Sequence, residues 1–205
     1  MRWGIIAALV CYLFLVNFMA ETTAFGSEAR CREIAIREYP NNPSMQRYIY
    51  EQQFAACQAM NLVKDQEVKK IALHEYPNDY SMQKYIYDEQ LAAKNYMKTV
   101  QDKHVKKIAL TEYRNDYSMQ KYTYDQQYAS KNFMKTALDV EVKNIAVHEY
   151  PNDFSMQKFT YEQQVSAKNY MKSVGNNAVK KVAQVKYPND YSMQKYFYDQ
   201  TMKTD

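Results

Sequence analysis

Glycine is almost missing: three residues in a chain of 205. That excludes the glycine-rich turns of an all-β fold and leaves no flexible linker. Histidine is equally scarce. His74, His104 and His148 have no i, i+4 spacing, so no zinc-binding helix is expected. The chain also lacks a GxSxG elbow, a P-loop, an HExxH pair and a CxxC pair. No charge of one sign dominates. There are 27 Lys and Arg against 23 Asp and Glu, net +4 and interspersed, and nucleic-acid binders usually concentrate basic charge on one face. No nucleic-acid partner, cofactor, metal or catalytic residue is therefore expected.

A long apolar run occurs once. Arg2 precedes Ile5 to Val16, interrupted only by Tyr12, with small residues following. A basic start and a short apolar core describe a secretory signal peptide over residues 1–24, cleaved after Ala20 or Ala24. The run is short for a membrane span of roughly 20 residues, so no stable span is expected after processing. An uncleaved anchor is the alternative. The protein is expected to be exported, periplasmic or secreted. Export leaves Cys31 and Cys57, an even count that predicts one disulfide. The equivalent places hold Val68, Val105, Val142 and Val179 for the first, and Lys94, Lys131 and Lys168 for the second. The two positions become cysteine together in one copy only. Along straight helices they would stand roughly 12 and 22 Å from the turn between them, so the bond requires tilted helices or a ragged turn.

What is abundant is tyrosine, 21 residues, and methionine, 12. A repeat explains most of both. Tyr39, Tyr76, Tyr113, Tyr150 and Tyr187 recur every 37 residues, and each opens a phrase such as Tyr76-Pro77-Asn78-Asp79-Tyr80-Ser81-Met82-Gln83-Lys84-Tyr85. Such a period signals stacked repeats. The sequence predicts an all-α fold: five tandem helix pairs forming a short α-solenoid over residues 25–205. The copies are 30–66, 67–103, 104–140, 141–177 and a truncated 178–205.

In each copy a short helix precedes a long one. Val68, Ile71, Ala72 and Tyr76 share a face at spacings of three and four. Asp65, Asp102, Asp139 and Asn176 are the predicted N-caps, and Pro77 stops the short helix. Asn42-Pro43 sets the start of the long helix, because proline is favoured at the first helical position. That places its caps at Asn42, Asp79, Asp116, Asp153 and Asp190. The long helix should run about 19 residues. Its predicted inner stripe is Met82, Ile86, Gln90, Ala93 and Met97, widened by Tyr85, Ala92 and Tyr96. A break near Asp102 is expected between copies, although no glycine or proline marks it.

The phrase carried by Tyr76, Pro77, Asp79, Met82 and Gln83 resembles short repeats of uncharacterised exported bacterial proteins. Those repeats often carry tryptophan for this tyrosine, and further cysteines. The resemblance covers about half of each unit and implies a bacterial, periplasmic setting with no activity attached. In general plan the units are similar to tetratricopeptide and Sel1-like helix pairs, which implies architecture only.

Recurring polar and aromatic residues are the candidate site. Gln53, Gln90, Gln127 and Gln164 fall on the apolar stripe, either as ligand contacts along a groove or as amides satisfied by a tyrosine hydroxyl or a helix carbonyl. Tyr50, Tyr87, Tyr124, Tyr161 and Tyr198 never become phenylalanine and should point away from the methionine stripe, either as a ligand-facing ladder (the first four) or as packing between copies. Tyr48, Tyr85, Tyr122 and Tyr196, with Phe159 among them, tolerate loss of the hydroxyl and are expected in the core. The expected function is a non-enzymatic module that binds or scaffolds a protein or peptide. A self-associating envelope protein is the second reading. A hydrolase is the third, and its carboxylates, Glu75 and Asp79, recur or have counterparts as caps and solvated faces do.

Overall fold

The computed structural model describes residues 27–175 and 177–204, and every regular element among them is a helix. The leader at 1–24 and the cap expected at Asn176 lie outside the described residues. Helix α1 covers 27–38. It is followed by α2 (Pro43–Leu62), α3 (Gln66–Glu75), α4 (Tyr80–Thr99), α5 (Lys103–Glu112) and α6 (Tyr117–Thr136). Then come α7 (Val140–Glu149), α8 (Phe154–Ser173), α9 (Asn177–Lys186) and α10 (Tyr191–Thr204). Long helices of 20 residues alternate with short ones of 10. Among the described residues no helix is long and apolar enough to cross a membrane.

Local chemistry sets the boundaries. The side chains of Asp65, Asp102 and Asp139 accept from the backbone N–H of Val68, Val105 and Val142, capping α3, α5 and α7. Asn42, Asp79, Asp116, Asp153 and Asp190 do the same for the long helices, accepting from Met45, Met82, Met119, Met156 and Met193. No described glycine takes a positive φ at a helix end: Val63, Ala137 and Val174 turn extended at the C-cap, and after Val63 and Ala137 the next short helix restarts on its own cap, Asp65 or Asp139.

The described residues divide into two compact units, one up to Asn95 and one from Tyr96 on, with the boundary inside α4. In the second unit α8 packs against both α6 and α10, and α5, α7 and α9 lie against α6, α8 and α10 respectively. Its core is one small cluster restated three times. Met97, Val105, Ala109 and Tyr124 form the first, with Phe154 against it. Met134, Val142, Ala146 and Tyr161 form the second, with Tyr191 against it. Met171, Ala183 and Tyr198 form the third. Each joins the end of one long helix to the helix pair that follows, so the apolar contacts run between copies. In the first unit Met60, Val68, Ala72 and Tyr87 are buried at the matching positions.

One expectation about the aromatic residues is overturned, and one open alternative is decided. Tyr87, Tyr124, Tyr161 and Tyr198 are buried, and the last three pack against a methionine of the preceding long helix, Met97, Met134 and Met171, which is the packing between copies that the sequence offered as one alternative. Tyr48, Tyr85, Tyr122, Phe159 and Tyr196, expected in the core, are exposed, and so is Ala92. The reason is geometric. Residues two apart on a helix differ by about 200°, so once Tyr124 faces in, Tyr122 faces water.

Candidate functional site

The recurring glutamines are wired to the start of the next long helix. Gln53 Nε2 donates to Asp79 Oδ1 at 2.8 Å, while its Oε1 accepts from the N–H of Tyr80 at 2.8 Å and Ser81 at 3.3 Å. Gln127 repeats this on Asp153, Phe154 and Ser155, and Gln164 on Asp190, Tyr191 and Ser192. The first N–H groups of a helix have no partner inside it. The amide therefore acts as a second cap, supplied from the preceding copy, and the partner is a helix N-terminus where a hydroxyl or a carbonyl was expected. Gln90 is likewise buried. At the corresponding place in the fifth copy stands Thr201, whose hydroxyl donates back to the Phe197 carbonyl.

The tyrosines that keep their hydroxyls use them inside the protein. Tyr87, Tyr124 and Tyr161 accept from the backbone N–H of the cap residues Asp65, Asp102 and Asp139, at 3.3, 3.4 and 3.1 Å. Tyr50 differs. It is half-buried, stacked on Phe54 with centroids 5.7 Å apart, and the Arg32 guanidinium lies 5.3 Å from its ring. It borders a cavity of about 330 Å³ shared with Ile36, Pro43 and Gln46.

Three further polar devices were not foreseen. Gln83, Gln120, Gln157 and Gln194 are buried, and their amides donate to the carbonyls of Tyr76, Tyr113, Tyr150 and Tyr187, which closes the turn between short and long helix. The Met-Gln dipeptide in every phrase was the available signal. Lys94, Lys131 and Lys168 reach back to the cap carboxylates of Asp65, Asp102 and Asp139 at 2.9, 2.7 and 2.8 Å. These lysines hold the three aspartates below the usual carboxylate range, helped by the backbone N–H groups they accept from. Burial works against the charge of Lys168, but hydrogen bonds to Asp139 and Glu141 outweigh it and raise its pKa. Finally, the Tyr96 hydroxyl donates to Asp125 at 2.5 Å, and that bond, with partial burial, pushes its pKa up to about 12. Tyr170 and Asp199 form the same pair.

Cys31 and Cys57 are thiols in this structure, both buried in the first unit. Burial pushes the Cys31 thiol up to about 11, and the neighbouring Cys57 adds to the rise. His74 and His148 are exposed on α3 and α7. His104 meets Phe154 edge-on at 5.4 Å and borders a cavity of about 450 Å³ with Ile108, Thr111 and Asn152. No group of three or more His, Cys, Asp or Glu residues able to hold a metal occurs among the described residues.

Against this internal wiring, a recurring aromatic position faces outward. Tyr48 and Tyr85 in the first unit are 54% and 60% exposed; Tyr122, Phe159 and Tyr196 in the second are 59%, 56% and 59% exposed. In the second unit Tyr122 borders a cavity of about 320 Å³ together with Glu112, Tyr113, Thr123, Gln126 and Met156. Beside Glu112, the Tyr113 hydroxyl is held above its ordinary pKa.

No known protein family, curated protein or solved structure matches this chain.

Proposed function

We propose that the chain is an exported, non-enzymatic binding or scaffolding module built from five helix pairs stacked as a short α-solenoid, and that its partner is a protein or peptide. One observation carries this reading. The recurring glutamines and hydroxyl-bearing tyrosines join elements within the protein, whereas an aromatic ring on every long helix is left in water. Exposed aromatic residues in register on a rigid scaffold are what an interface uses, because they offer large area and few rotamers to freeze. Stacked helix pairs suit such presentation, since each copy repeats the same surface.

The test is a cross-linking pull-down of the tagged mature protein from its own cell envelope, read by mass spectrometry. One enriched partner supports the module. Recovery of only its own peptides, linked between chains, would replace it with the self-associating envelope protein.

Export brings an oxidising compartment, and in it we propose a Cys31–Cys57 disulfide. Both thiols are buried, and Cys57 sits close enough to help raise the Cys31 thiol's pKa. The expected outcome is no titratable thiol in the denatured, non-reduced mature protein. Two free thiols would rule the bond out.

A further inference from the structure

The second unit carries a stripe whose composition narrows the partner. Tyr122, Gln126 and Ala129 stand at i, i+4 and i+7 on α6, and all three are exposed. Phe159, Gln163 and Ser166 repeat the pattern on α8, and Tyr196 and Gln200 begin it again on α10. A ring, an amide one turn on and a small residue beyond make a low, uncharged surface. Phe159 shows that the ring alone suffices at this place. The lysines beside the stripe are paired: Lys121 with Asp125 at 2.8 Å, Lys158 with Glu162 at 3.9 Å and Lys195 with Asp199 at 2.8 Å.

We propose that this stripe docks a proline-rich peptide in the polyproline II conformation, with a lysine or arginine beside the prolines. The inference rests on the binding-module reading and names its partner. Three physical arguments support it. First, register: α6, α8 and α10 pack as successive neighbours. Packed helices lie about 8–10 Å apart, and one polyproline turn of three residues advances about 9 Å, so each turn meets one ring. Second, shape and hydrogen bonding: the cavity beside Tyr122 has a second ring in Tyr113 and apolar surface from Met156, which accommodates a flat pyrrolidine. Polyproline carbonyls stay unpaired within their own helix, and the Gln126 amide is placed to donate to one. Third, charge: Glu112 borders that cavity, and Glu149 stands beside Tyr150 in the next copy, where it raises that hydroxyl's pKa. Over these two copies an acidic rim attracts a basic flank and repels a polyanion, while Lys186 holds the matching place beside Tyr187 in the last. An amphipathic helix fits less well, since it needs a groove for several apolar anchors per turn pair and here a polar amide follows each ring.

The experiment is a calorimetric titration of the full mature chain with an arginine-flanked oligoproline. Parallel arms use the same peptide with glycine in place of proline, and a chito-oligosaccharide. The expected result is saturable binding of the oligoproline, roughly tenfold or more tighter than the glycine peptide. The triple substitution Tyr122→Ala, Phe159→Ala, Tyr196→Ala should weaken it by roughly tenfold or more, and Tyr122→Phe should preserve it. Glu112→Gln should weaken the arginine-flanked peptide and leave an unflanked oligoproline unchanged. Chemical-shift mapping on the unsubstituted protein gives the same answer without relying on a variant's folding: shifts centred on α6, α8 and α10 are expected. Equal affinity for the glycine peptide, an unaffected triple variant, or binding of the oligosaccharide alone would overturn the proposal. So would a cross-linked partner whose links fall away from the ring row, and that outcome would leave the binding-module reading standing.

Discussion

Gln126 and Gln127 are adjacent in the chain but have different surroundings. Gln127 is buried and holds the Asp153 carboxylate and the first N–H groups of α8, whereas Gln126 lies in water. Removing a buried amide leaves its partners unsatisfied, which costs about 1–3 kcal/mol. Gln127→Ala should therefore lower the urea midpoint clearly, while Gln126→Ala should change stability by less than about 0.5 kcal/mol. Circular dichroism melts of both variants check the contrast, and equal effects would refute the capping role. The cap aspartates add a pH dependence. Asp65, Asp102 and Asp139 have folded pKa values depressed chiefly by Lys94, Lys131 and Lys168. A depressed folded pKa contributes stability that is present above the unfolded value, about 3.9, and lost as pH falls through the folded one. The urea midpoint should hold steady on acidification to about pH 5 and drop below about pH 4. In Asp139→Asn that drop should be shallower.

At the scale of the element, no helix here closes a core by itself. The short helices are 10 residues long, below the length at which an isolated helix is stable in water. What holds α7 is the cluster in which Met134 from α6 meets Val142 and Ala146 from α7 and Tyr161 from α8. Met134→Ala should cost about 2–5 kcal/mol, because the neighbours cannot fully fill the space. Thermal unfolding followed at 222 nm measures it, and a change under about 0.5 kcal/mol would mean that the cluster is not the stabilising contact.

For the whole molecule, stability in a stacked array is close to a sum of unit and neighbour terms. Deleting residues 104–140 removes one copy in register, and Val142 then follows the end of α4 as Val105 does now. Helicity per residue should persist and the melting temperature should fall moderately. Loss of all helical signal would contradict a modular array. The ring row belongs to this scale too. Each ring is one exposed side chain, and only neighbouring long helices bring Tyr122, Phe159 and Tyr196 into one series.

The sequence by itself determined the helices and their punctuation. The 37-residue phrase set the alternation, Asn42-Pro43 located the long-helix start, and Asp65, Asp102 and Asp139 marked the short-helix caps, because capping is a contact over three residues of chain. Facing was harder to read. Tyr122 and Tyr124 are chemically alike, and a tyrosine suits either a core edge or a wet surface, so periodicity alone could not choose between them. Tertiary structure chose, by packing Tyr124 onto Met97 and Val105. The same holds for Gln127, whose partners lie 26 to 28 residues ahead. A hydrogen bond of that separation exists only once two helix pairs have docked, and so no local pattern could have announced it.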